Sequence, residues 1–112
     1  MTDLIRTVNQ FDIYWVDLNT TKGSEIKKTR PCIVVSPYVM NKTLKTVLVV
    51  PLTSTIINWP FRIIIKSDKK ESSAACDQLR AVSIERFSTK IGTLSKIEQK
   101  QILDILVNIF SM

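Results

Sequence analysis

Arg30 stands directly before Pro31, where a polar stretch gives way to the apolar run 31–36. A residue before proline is held extended. A planar guanidinium at a strand entrance is shaped to grip a phosphate, or to pair with Glu25, five positions earlier. Glu25 itself is a carboxylate able to act as a base toward a ribose 2′-hydroxyl. Thr53 and Ser54 end the most apolar strand of the chain. Hydroxyls there can donate to a phosphate oxygen, or bond their own backbone in an ordinary strand-to-loop transition. Asp77 and Gln78 interrupt an apolar stretch between Ala74-Ala75-Cys76 and Leu79. Polar groups that break such a stretch need a partner. Arg80 shares a face with Gln78 if the strand runs on.

The chain has no histidine and only two glycines, Gly23 and Gly92. The first absence removes the commonest acid–base residue and metal ligand. The second removes a phosphate-cradling glycine loop and argues against nucleotide cofactors. Cys32 and Cys76 are too few for a zinc site, which usually takes four ligands. The expectation is therefore no metal and no cofactor. Any catalysis rests on Arg, Lys, Thr, Ser and carboxylates. Those groups suffice to cleave RNA: the 2′-oxygen attacks its own phosphorus, and the protein positions it and neutralises the developing charge.

The elements that must position these residues are short. Residues 11–18 are aromatic and β-branched and read as a strand, and 19–29 as a polar loop. A buried strand over 31–36 follows. Then comes a helical turn from Pro37 to Asn41, with Ser36 as its cap and Pro37 at the first helical position. Thr46–Leu52 is a further apolar strand, with Pro51 near its end where a missing N–H is tolerable. A loop over 54–59 leads through Trp59-Pro60 to a strand over Phe61–Lys66. Ser67–Ser73 reads as a basic turn, Ala74–Ile84 as one interrupted strand, and Glu85–Ile91 as an ambiguous stretch with room for a last short strand. Ser95 and Glu98 have the spacing of a capping box. Behind them Ile102, Leu103, Leu106, Ile109 and Phe110 recur at helical spacing, which predicts a terminal amphipathic helix. Many short strands and one helix imply a small, mostly antiparallel barrel with the helix packed on it.

A chain of 112 residues is one domain, 1–112, with a single modest core. Sixteen Lys and Arg against ten Asp and Glu leave a net charge of +6, which favours polyanionic partners. No apolar run reaches the roughly 18 residues of a membrane span, and the first residues lack the pattern of a secretory signal. The expected location is the reducing cytoplasm, with both cysteines as buried free thiols.

Several ordered motifs resemble one family, the MazF/PemK toxins. They are Asp12-Ile13-Tyr14-Trp15-Val16, Lys22-Gly23-Ser24-Glu25, Arg30-Pro31, Val34-Val35-Ser36-Pro37, Asn41, Pro51-Leu52-Thr53-Ser54, Pro60-Phe61, Asp77-Gln78-Leu79-Arg80 and the capped helix after Ile91-Gly92-Thr93-Leu94. The resemblance implies an SH3-like small β-barrel with a C-terminal amphipathic helix. It implies a homodimer that cleaves single-stranded RNA at short sequences, without a ribosome or a metal, to 2′,3′-cyclic phosphate and 5′-hydroxyl ends. It also implies inhibition by a cognate antitoxin carrying an acidic, disordered segment. By position, Arg30, Thr53, Glu25 and Asp77 are the catalytic candidates. Ser24, Lys28, Ser54, Trp59, Gln78 and Arg80 are the RNA-binding ones. Trp59 can stack a base or simply cover the barrel end. In another member an arginine lies two positions before the aspartate of the Asp-Gln motif. Here that position is Ala75, so Arg30 must carry more. The usual glycine before the first strand's acidic residue is Phe11. Two other readings remain: a catalytically degenerate RNA-binding domain, and a toxin of the related gyrase-poison (CcdB-like) type acting on a protein target.

Overall fold

The computed structural model describes residues 7–19, 28–67 and 70–111. Seven strands and two α-helices make up these residues: β1 (Asp12–Asp17), β2 (Thr29–Val34), α1 (Tyr38–Thr43), β3 (Thr46–Thr53), β4 (Arg62–Ser67), β5 (Lys70–Ala75), β6 (Arg80–Ser83), β7 (Phe87–Thr93) and α2 (Lys96–Phe110). The strands form a curled antiparallel sheet in the order β4-β5-β3-β2-β1-β7, with β6 also paired to β3. The expected small, mostly β barrel with a terminal helix is the fold observed, and its hydrogen-bonded order is open between β4 and β7.

The continuous apolar runs of β2 and β3 follow from burial on both faces. Ile33, Val35, Val50 and Leu52 enter one core cluster, beneath Ile102 of α2. Cys32, Val34, Val47 and Val49 enter the other, with Val16, Val82 and Phe87. A strand wetted on one side would alternate; one covered on both sides has no polar positions to spare.

β3 is also where the sheet divides. Its outer edge pairs with β6 through Thr46–Val49 and with β5 through Leu52–Thr53. The chain must therefore step along that edge between β5 and β6, and it does so in a 3₁₀ turn over Cys76–Gln78. The interruption expected at Asp77 and Gln78 is thus present, but it is a full break that makes two strands of Ala74–Ile84 where one was expected to run on. Gln78 and Arg80 are accordingly not neighbours on one strand face. The basic turn expected over Ser67–Ser73 is also corrected. Lys70–Ala75 is a strand, in register with β4 from Arg62↔Ala75 to Ser67↔Lys70. Cross-strand pairing with an isoleucine-rich partner overrides the weak strand preference of Lys, Glu and Ser.

Ser36 is not a helix cap. It is buried, its hydroxyl donates to Asn41 Oδ1, and it accepts from the Leu48 N–H at 3.1 Å. Pro37 occupies the cap position without a side-chain cap bond. The capping box at α2 is present as expected. Its Glu98 carboxylate accepts the Ser95 N–H through one oxygen and the Lys66 N–H through the other, both at 3.0 Å, and so fastens the helix to β4.

Candidate active site

The ends of β2 and β3 carry Arg30 and Thr53 to a shared wall. Each lies two residues beyond the paired Cys32 and Pro51. On one side of this wall is a cavity of about 490 Å³, lined also by Leu18, Asn19, Lys28, Pro51, Arg62, Ala75, Gln78 and Arg80. On the other side is a groove of about 460 Å³ that adds Trp15, Ser54, Lys70 and Ser72. Lys28, Arg30, Arg62 and Arg80 give the first cavity four cations, and no carboxylate among the described residues lines either space. A concave site with one sign of charge concentrates oppositely charged ligands.

Local bonding explains the placement. The β1–β2 loop is pinched at its base: the Leu18 N–H donates to the Lys28 carbonyl at 2.8 Å, and the Lys28 N–H to Asn19 Oδ1 at 3.0 Å. Arg80 Nη1 donates to the Leu18 carbonyl at 3.4 Å, and Arg86 Nη1 to the carbonyls of Asp17 and Asn19. The neck of the loop is thereby set on the rim of the cavity. Glu25 and Ser24 lie outside the described residues. Thr53 Oγ1 accepts the Thr55 N–H at 3.2 Å, the local bond expected of a threonine at a strand end. The bond uses the oxygen as acceptor and leaves the hydroxyl proton for an anion.

Asp77 does not line this cavity. Its two oxygens take Arg62 Nε–H at 3.0 Å and Nη2–H at 3.1 Å. The hydrogen bond to Arg62 holds its carboxyl below the ordinary carboxylate value. Trp59 lies on the same arginine, its ring centroid 4.8 Å from the Arg62 Cζ, and meets Phe61 at 5.3 Å between centroids. The Arg62 N–H donates to the Trp59 carbonyl at 3.1 Å, so a tight turn through Pro60 folds the indole back over the guanidinium. Neither Trp59 nor Asp77 lines the cavity or the groove.

Of the ten candidates, the structure brings together Arg30, Thr53, Lys28, Gln78, Arg80 and, across the wall, Ser54. It sets Asp77 and Trp59 behind Arg62. Sequence reasoning missed Arg62, Trp15, Lys70 and Ser72. Arg62 stands on the strand expected over Phe61–Lys66, but the turn expected over Ser67–Ser73 takes up most of β5 and hides the pairing that sets Arg62 beside Ala75. The two thiols are poor nucleophiles: burial pushes Cys32 up to about 12 and Cys76 up to about 11. Among the described residues no group of three or more Cys, Asp or Glu is gathered as a metal site.

Comparison with known proteins agrees with this architecture. Residues 9–110 match the family model described as PemK-like, MazF-like toxin of type II toxin–antitoxin system. The chain is 32% identical over 99 residues to the endoribonuclease toxin MazF of Escherichia coli strain K12, covering 88% of each chain. It is 31% identical over 105 residues to endoribonuclease MazF9 of Mycobacterium tuberculosis, covering 85% of this chain and 89% of that one. Its fold is similar to a mycobacterial endoribonuclease solved in complex with its cognate antitoxin, with a TM-score of 0.80 at 18% identity over 94% of this chain and 96% of that one.

Proposed function

The chain belongs to the PemK-like, MazF-like toxins of type II toxin–antitoxin systems, and from its site we propose that it is an endoribonuclease acting on single-stranded RNA without a metal. The observation that carries this reading is the wall of Arg30 and Thr53 between two concave spaces lined by cations and free of acids among the described residues. A strand of RNA laid across it would place a phosphate against the Arg30 guanidinium and the Thr53 hydroxyl.

In the reaction, a base removes the 2′-hydroxyl proton. The 2′-oxygen forms a bond to phosphorus, the bond from phosphorus to the 5′-oxygen breaks, and the leaving oxygen takes a proton. The products are a 2′,3′-cyclic phosphate and a 5′-hydroxyl. Arg30 and Thr53 stabilise the charge that gathers on the phosphorane oxygens, the step at which preorganised donors contribute most. We further propose that Arg30 protonates the leaving oxygen. We assign the base to Glu25, because Asp77 is engaged on Arg62. Lys28, Gln78, Arg80 and Ser54 hold the strand on either side, with Ser24 of the loop as a further contact. The protein works as a homodimer in the cytoplasm. A cognate antitoxin silences it with an acidic, disordered segment, since a cationic cleft is best filled by an anionic chain.

The test is incubation of the purified protein with a long single-stranded RNA in EDTA, beside Arg30→Ala, with end-group analysis. Discrete fragments ending in cyclic phosphate, lost in the variant, are expected. RNA left whole by the unaltered protein would overturn the reading.

A further inference from the structure

Arg62 lines the same cavity as Arg30 and Thr53 but arrives from β4, a strand next to neither of theirs. It faces the cavity beside its register partner Ala75, whose side chain is only a methyl group. Its side chain is only 7% exposed. The Asp77 carboxylate grips one edge of the guanidinium, the Trp59 ring covers it, and the turn at Trp59–Arg62 fixes its backbone. A guanidinium carries five N–H donors. Asp77 takes Nε–H and one Nη2–H, which leaves both Nη1 protons and one on Nη2 for a ligand in the cavity.

Long cationic side chains on a surface are ordinarily mobile, and ordering one when a ligand binds is unfavourable. This one is ordered beforehand. A fork held by a carboxylate on one edge presents its other edge rigidly, the arrangement that suits bidentate recognition of a phosphate. Resting on the ribonuclease reading above, we infer that Arg62 is a second phosphate-gripping cation of the site, and that Asp77 is its positioning residue and not a base. Arg62 holds a non-bridging phosphate oxygen that Arg30 and Thr53 leave open, and it transfers no proton.

The experiment compares the full chain with Arg62→Gln, Arg62→Lys, Asp77→Asn and the double variant Arg62→Gln/Asp77→Asn. One readout is single-turnover cleavage of a single-stranded RNA across pH. The other is the salt dependence of binding to the same strand with every 2′-hydroxyl replaced by hydrogen, which cannot be cleaved. Arg62→Gln is expected to slow cleavage by about 10²- to 10³-fold and to flatten the log–log salt slope by about 0.7, one phosphate contact on a single strand. Arg62→Lys restores the slope but not the rate, because a point charge replaces a fork. Asp77→Asn slows cleavage without moving the acidic limb of the pH profile, and the double variant is no slower than Arg62→Gln alone. The inference is overturned if Arg62→Gln keeps both rate and slope, or if the two single losses multiply in the double variant. Should Arg62→Gln fail to fold, Arg62→Lys decides: rate lost with slope kept supports the inference, and both kept overturns it. RNA left whole by the unaltered chain would remove the ribonuclease reading instead, and the binding slopes would still decide whether Arg62 meets a phosphate.

Discussion

Arg30 and Thr53 reach their shared wall through the same ladder: two residues before the Cys32–Pro51 pair on β2 and two residues after it on β3. Both faces of that ladder are packed in core, so the two side chains sit at a rigid edge. A guanidinium and a hydroxyl fixed this way need little reorganisation when charge develops on a phosphate between them.

Arg30→Lys should therefore keep the charge and lose the fork. Cleavage of single-stranded RNA is expected to fall by about 10²-fold, with binding of an uncleavable strand little changed. Thr53→Val, which keeps the β-branched shape and removes the hydroxyl, is expected to reduce the rate by about 10-fold or more, with a melting temperature lowered only slightly because the exposed Thr55 N–H exchanges its acceptor for water. Single-turnover kinetics and thermal melts check both, and wild-type rates in either variant would remove that residue from the chemistry.

The Arg62 guanidinium beside Asp77 also makes stability depend on pH. Asp77 titrates below its ordinary value of 3.8 in the folded chain. A carboxyl acidified by folding adds stability that is fully present above that ordinary value and is lost as the pH falls through the depressed one. The unaltered chain should melt above Asp77→Asn at neutral pH, and the two curves should converge in acid. With the Asp77 side chain 32% exposed, solvent screening keeps the gap narrow. Parallel curves down to the lowest pH would contradict the linkage.

Phe11 sits at φ of 76°, in the left-handed region. It is the third residue of a turn closed by the Asp12 N–H on the Asn9 carbonyl at 3.2 Å, a position that in a type II turn asks for glycine. The aromatic ring packs against the core beneath α2, which offsets the backbone strain. Phe11→Gly should consequently be more stable than Phe11→Ala by about 1 kcal/mol, the reverse of the usual ranking, because alanine loses the ring and keeps the strain. Urea melts of the two variants decide it; alanine the more stable would show that the turn relaxes.

Both thiols are buried and unbridged. With values pushed up to about 12 for Cys32 and about 11 for Cys76, neither forms an appreciable thiolate at pH 8. A disulfide-exchange dye should label no thiol in the native chain and two in denaturant. Stoichiometric labelling of the native chain would show that one of them opens to solvent.

The sequence by itself determined whatever rests on local pattern. The aromatic and β-branched run of β1, the doubly buried runs of β2 and β3, and the Ser95–Glu98 cap with the apolar periodicity behind it are set by neighbours in the chain. Arg30 and Thr53 were legible for the same reason, since each marks where an apolar run starts or stops. The pairing of distant strands was not legible. Lys70–Ala75 becomes a strand only because β4 lies beside it, and the break at Cys76–Gln78 exists only because β3 offers β5 and β6 different stretches of one edge. Tertiary structure alone made Asp77 the partner of Arg62, and drew Trp59 over that arginine. A side chain's partner is fixed by which strands lie next to each other, and that follows from how both faces of β2 and β3 are buried, not from the residues on either side of it in the chain.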